Sequence, residues 1–133
     1  MHFVKRSVQL SDTDTTGVVY FTNQLKFAAE AFENFLKTSG LPINFIFEHL
    51  RVGLPIVHTE SEFNSPLYLG EILTLHLKIT SIGINSFTYN VEIQKNGLCA
   101  GKVTTTHVAL SLCLKKKTRI PEDLKAILHK ILF

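Results

Sequence analysis

The chain has 133 residues, of which 45% are hydrophobic and 19% charged, and its net charge is +3. That length fits one domain, residues 1–133, able to bury about two-thirds of its unfolded surface, and the balance excludes a disordered chain. The modest charge argues against a nucleic-acid groove, and no apolar run approaches the roughly 18 residues of a membrane span.

The two cysteines, Cys99 and Cys113, have neither metal-ligand spacing nor the density of a disulfide framework. The opening MHFVKRSVQLSD lacks the apolar core of a secretory signal. A reduced, cytoplasmic protein is expected.

Val4, Val8 and Leu10 share one parity and predict a half-buried first strand. A loop, Asp12-Thr-Asp14-Thr-Thr-Gly17, separates it from a helix whose stripe is Phe27, Ala28, Ala31, Phe32, Phe35 and Leu36. Gly40 and Pro42 end that helix, and a short second one is expected over 44–50. From Leu54 onward the period is two. Leu73, Leu75, Leu77 and Ile79 mark one strand; Phe87, Tyr89, Val91 and Ile93 mark the next. Asn96-Gly97 predicts a type I′ hairpin turn. A strand from Leu98 to about Leu114 should follow, with Val108, Leu110, Leu112 and Leu114 on one side. Pro121 opens a short terminal helix that includes Ile127 and Ile131. One long helix and an antiparallel sheet make an α+β layout, in which a curved five-stranded sheet wraps the central helix.

Three readings compete for the acidic loop. Aspartate and threonine suit turns and caps through bonds to nearby backbone. A calcium loop would use Asp12, Asp14 and Thr16, but its twelfth position holds Asn23 where glutamate is needed, and a strand precedes it. The third reading is catalytic: a carboxylate beside the open N–H groups of a helix N-terminus pairs a nucleophile or base with an oxyanion site. Spacing alone does not choose between turn and catalyst.

The motif D-T-D-x-x-G-V-V-Y-F, followed by a helix, Gly40-Leu41-Pro42 and antiparallel strands, resembles the hotdog-fold acyl-CoA thioesterases of the 4-hydroxybenzoyl-CoA thioesterase type. Leu54-Pro-Ile-Val-His58, Ser65-Pro66, Gly70-Glu71 and Thr106-His107-Val108 extend the resemblance from Val4 to Pro121. Val19-Tyr20-Phe21, Leu54-Pro-Ile-Val-His58, and Thr106-His107-Val108 with the later lysines are similar to the branch acting on 1,4-dihydroxy-2-naphthoyl-CoA in phylloquinone and menaquinone biosynthesis.

The resemblance implies hydrolysis of an aromatic acyl-CoA, with Asp14 as nucleophile or general base and the Phe21 N–H as oxyanion contact. It leaves Asp12 as a turn or cap residue, gives Glu30 no catalytic role, and calls for no metal or cofactor. Gly17 allows close approach to the backbone. Tyr20 and His58 line the acyl pocket, against the alternatives of a packed tyrosine and a histidine bonded to backbone. Thr59 is a hydroxyl donor to ring substituents, and His107 is structural. Lys115, Lys117 and Arg119, with Lys116, hold the coenzyme A phosphates, unless they are an ordinary solvated turn; the loop over 81–85 carries no charge that would serve instead. The resemblance also implies a homodimer paired along the strand from Leu54 to Phe63, two dimers forming a homotetramer. An aliphatic acyl-CoA or acyl carrier protein thioesterase, and a non-catalytic acyl-ligand-binding protein, remain alternatives.

Overall fold

Alternating burial begins at the second residue, and the computed structural model, which describes residues 1–133, turns it into β1 (His2–Ser7). His2, Val4 and Arg6 are its half-buried residues, and Val8 continues them into the core. Leu10 does not. It is 73% exposed, because a 3-10 turn over Leu10–Asp12 ends the strand before its parity reaches that position.

The predicted stripe forms α1 (Phe21–Thr38) and buries Phe27, Ala28, Ala31, Phe32, Phe35 and Leu36. Gly40, at φ +86°, takes the left-handed position that closes the helix. A shorter α2 (Ile43–Glu48) starts directly after Pro42.

Five strands make the antiparallel sheet: β1, β3 (Ile56–Phe63), β4 (Ile72–Ile82), β5 (Ser86–Lys95) and β6 (Leu98–Val108), in the order β1-β4-β5-β6-β3. The consecutive strands β4, β5 and β6 form the predicted meander, and Asn96 and Gly97 both have positive φ in the turn between β5 and β6. The inward rows of β4 and β5 are fully buried as predicted. Each of those large side chains contributes about 1.5–3 kcal/mol by leaving water. α1 contacts all five strands, so the sheet curves around it.

The last long strand departs from expectation. It ends at Val108, and its inward row is Val103, Thr105 and His107, not Val108, Leu110, Leu112 and Leu114. A register shift sets Ile93 opposite Gly101 but Gln94 opposite Cys99, so Ala100 is an extra residue that reverses the parity. Without that bulge the inward row would include Lys102. Beyond Val108 the chain forms β7 (Leu110–Ser111), turns through Lys115 at φ +54°, and returns as β8 (Lys116–Lys117). With β2 (Val52–Gly53) these make a second, three-stranded sheet, so eight strands and three helices stand where five and one long helix were expected to dominate. α3 (Glu122–His129) follows Pro121 and buries Leu124, Ile127 and Leu128; Ile131 is buried just past its end. No helix is long and apolar enough to cross a membrane.

Candidate active site

The acidic loop is a tight hairpin. Thr13 bridges Val19, the Asp14 N–H donates to the Val18 carbonyl at 2.9 Å, and the Gly17 N–H donates to the Asp14 carbonyl at 3.3 Å. Gly17 has φ +82°, with nothing within 4 Å of an added Cβ. The turn needs glycine for its dihedral angle, not for close packing.

Asp14 sits at the start of that turn, exposed. Its Oδ1 accepts from the Thr16 N–H at 2.7 Å and from the Thr16 hydroxyl at 2.5 Å; Oδ2 accepts nothing within the chain. The Thr16 hydroxyl, and then the Thr16 N–H, hold its pKa below the usual 3.8. One oxygen therefore orients the carboxylate while the other stays available.

Asp12, two residues away, has the opposite fate. It is buried and paired with Arg6 through both oxygens, while the Gln9 N–H donates to Oδ2 at 2.8 Å. Burial pushes its pKa up, but Arg6 and the Gln9 N–H outweigh burial and the net shift is downward. Arg6 also donates to Glu30 on α1 at 2.9 and 3.1 Å, and its guanidinium lies 4.4 Å from the centre of the Phe27 ring. Both carboxylates raise the Arg6 pKa, Asp12 first. This clamp fixes the loop to α1 and accounts for Glu30 without a catalytic role. It also removes Asp12 from any calcium-ligand set. The Asn23 amide, in turn, donates to the Asp12 carbonyl at 2.8 Å.

The clamp delivers the chain to α1 through Tyr20, whose N–H donates to the Asp12 carbonyl at 3.0 Å. Tyr20 is the N-cap residue and supplies no side-chain cap; the Phe21 N–H has no partner among the cap and loop bonds. An open N–H at a helix start is an anion-binding group. Tyr20 is 50% exposed, with its ring 4.9 Å from that of Phe21, which rules out the packed-core alternative.

Beside this helix start lies a cleft of about 330 Å³, walled by Val18, Val19, Phe21, Gln24, Phe63 and Pro66 among others. It is at the small end for ligand clefts, enough for an acyl ring but not for coenzyme A. Gln24 had no role in the sequence reading. Its signal was a polar residue three places before Phe27 on the apolar stripe. Arg6 was missed as well, since a basic residue in an alternating strand looks solvated.

The remaining candidates lie elsewhere. His58 pairs with Thr106 on the sheet face turned away from α1, and Thr59 lies on the helix side, its hydroxyl 3.1 Å from that of Thr105. These neighbours therefore face opposite ways. Lys115, Lys117 and Arg119 are exposed around the β7–β8 hairpin, tied to Ile56's end of β3 through β2. Phe63, at the other end of β3, lines the cleft. Seven strand steps of roughly 3.3 Å put about 23 Å between those ends. Within one chain, then, the basic hairpin and His58 are remote from Asp14 and Phe21. His107 is structural: its Nδ1–H donates to the Leu54 carbonyl at 2.8 Å, its ring stacks with Phe32, Phe87 and Tyr89, and burial lowers its pKa.

Comparison with known proteins gives a consistent picture. The chain matches the thioesterase-like superfamily over residues 8–128. A 1,4-dihydroxy-2-naphthoyl-CoA hydrolase from Rippkaea orientalis is 38% identical over 131 residues, covering 93% of this chain and 92% of that protein. One from Nostoc punctiforme is 32% identical over 119 residues, covering 90% and 80%. The crystal structure of a 1,4-dihydroxy-2-naphthoyl-CoA thioesterase from Synechocystis superposes with a TM-score of 0.91 at 30% identity, covering 98% of this chain and 96% of that one.

Proposed function

Because the chain belongs to the thioesterase-like superfamily, we propose that it is an acyl-CoA thioesterase that hydrolyses 1,4-dihydroxy-2-naphthoyl-CoA to the free acid and coenzyme A. The observation that carries this reading is the near full-length match to hydrolases of that aromatic thioester. A place in phylloquinone or menaquinone biosynthesis, in the cytoplasm, goes with the substrate.

The site geometry supports a mechanism. The thioester carbonyl oxygen is received by the Phe21 N–H, where the helix dipole stabilises the negative charge that develops. Asp14 Oδ2 attacks the carbonyl carbon. The C–S bond then breaks with its electron pair going to sulfur, and water hydrolyses the resulting mixed anhydride, leaving the acid and a regenerated carboxylate. A thiolate leaves readily enough for a carboxylate nucleophile to suffice. The lowered pKa of Asp14 keeps its carboxylate ionised at neutral pH, as attack and general-base action both require, and one turnover in heavy-oxygen water, with the label sought in Asp14, separates the two routes. Gly17 shapes the turn, and Tyr20, the N-cap residue, leads into Phe21, which lines the cleft.

The other half of the site comes from a second chain. β3 is a sheet edge with its far side unpaired, exposing Ile56, Val57 and Phe63. Antiparallel pairing of two copies along β3 brings the Ile56 end of one chain to the Phe63 end of the other. His58, Thr59 and the basic hairpin of one copy thus arrive beside the Asp14 loop of its partner, where Lys115, Lys117 and Arg119 meet the coenzyme A phosphates. Two such dimers make a tetramer.

A panel of purified thioesters tests the substrate: 1,4-dihydroxy-2-naphthoyl-CoA, benzoyl-CoA, a long-chain aliphatic acyl-CoA and an acyl carrier protein ester. The highest kcat/KM should fall on the naphthoyl ester. Preference for the aliphatic or carrier-protein ester would overturn it.

A further inference from the structure

We infer that Gln24 selects the acyl group, its Oε1 accepting a hydrogen bond from a ring hydroxyl of the aromatic substrate. This deepens the thioesterase reading and rests on it. Gln24 is 3% exposed, and its Nε2 donates to the Ser61 hydroxyl and to the Glu62 carbonyl, both at 2.8 Å. A carbonyl only accepts, so the amide's orientation is fixed by its partners. Nε2 faces β3, and both its hydrogens are in use.

Oε1 accepts nothing within the chain. No side-chain polar atom is both fully enclosed and unpaired, so Oε1 must be open, and the cavity Gln24 lines is the cleft beside Phe21. The opposite strand makes room for this amide. A Cβ at Gly101 would stand 2.6 Å from Gln24 Nε2 and 2.8 Å from the Glu62 carbonyl oxygen, so any larger residue there would displace it. The remaining polar side chains on the cleft wall, Asn64 and Ser65, are not buried. A ring entering between Val18, Val19 and Phe63 therefore meets one buried polar side chain, and its open atom is an acceptor. It favours a phenolic hydroxyl and disfavours a bare ring, a carbonyl or a carboxylate.

Position along the helix agrees. Residues three apart share a face, about 4.5 Å along the axis. With the thioester oxygen at the Phe21 N–H, Gln24 meets the ring on its side remote from the thioester. Of the two hydroxyls of a 1,4-dihydroxy-2-naphthoyl group, the 4-hydroxyl, meta to the acyl carbon, is the one farther from the thioester.

The test compares kcat/KM for 1,4-dihydroxy-2-naphthoyl-CoA with that for the 1-hydroxy and 4-methoxy analogues, which lack the donor. The wild type should favour the dihydroxy ester by at least about ten-fold. In Gln24→Met, which keeps length without the carbonyl, the ratio should fall toward one. Because both esters are assayed on the same sample, partial unfolding cancels from the ratio. Ser61→Ala, which removes one of the two Nε2 partners and leaves Oε1 untouched, should keep the wild-type ratio. A wild type indifferent to the hydroxyl, or a ratio unchanged in Gln24→Met, overturns the inference while leaving a thioesterase. Failure of the wild type to hydrolyse any aromatic thioester contradicts the thioesterase reading, and this one with it.

Discussion

Asp12 and Asp14 are separated by one residue and differ in everything chemistry would use. Asp12 is a buried partner of Arg6; Asp14 is exposed, with one oxygen held by Thr16 and the other open. The turn and catalyst readings of the loop are therefore compatible: Oδ1 makes the turn and Oδ2 stays unbonded within the chain. A consequence follows for pH. Thr16 holds the Asp14 pKa below 3.8, so the carboxylate stays ionised as pH falls through the range where ordinary catalytic carboxylates protonate. The pH profile of kcat/KM should show no acid limb from Asp14 above about pH 4. A wild-type acid limb centred near pH 6 would contradict this; Thr16→Val, which removes only the hydroxyl bond, should move the Asp14 limb upward toward the usual 3.8 and leave the profile flat above it.

At the scale of elements, two joints hold the site. Arg6 fastens β1, the acidic loop and α1 together. Asp12→Ala strips one carboxylate from Arg6 and orphans the Gln9 N–H, which should destabilise the fold by about 2 kcal/mol in urea titration. Asp12 has a lowered folded-state pKa, so its stabilisation is present above 3.8 and is lost as pH falls through the folded value. The acid-side loss should shrink in the variant. His107 anchors β6 to Leu54. Its folded pKa is also lowered, so as pH drops below 6.5 the unfolded chain takes up a proton that the folded chain refuses. Stability should begin to decline there, and His107→Gln, which keeps a donor toward Leu54, should flatten that slope. The helix stripe, the rows of β4 and β5, and the Asn96-Gly97 turn were legible because each is a local period or a dihedral demand. The parity of β6 was not. It depends on Ala100 bulging opposite Ile93, and the only hint was that the unbulged register buries Lys102. Gln24 and Arg6 were hidden for a related reason: the partners of Gln24 lie 37 and 38 residues away along the chain, and the bond from Arg6 to α1 spans 24.

At the scale of the whole molecule, the proposed dimer divides each site between the two ends of β3. A mixture of Asp14→Asn with a Lys115→Ala/Lys117→Ala/Arg119→Ala variant should form mixed dimers with one intact site each, restoring about a quarter of wild-type activity after subunit exchange. No recovery would place the coenzyme A contacts elsewhere. The most direct test of the central claim is thiol release from 1,4-dihydroxy-2-naphthoyl-CoA by the wild type and by Asp14→Asn. Asparagine retains the oxygen that accepts from Thr16, so the hairpin persists and only the charge is removed. The account predicts brisk release by the wild type and a drop of at least about a hundred-fold in kcat for the variant. Comparable rates from a folded Asp14→Asn protein would contradict it.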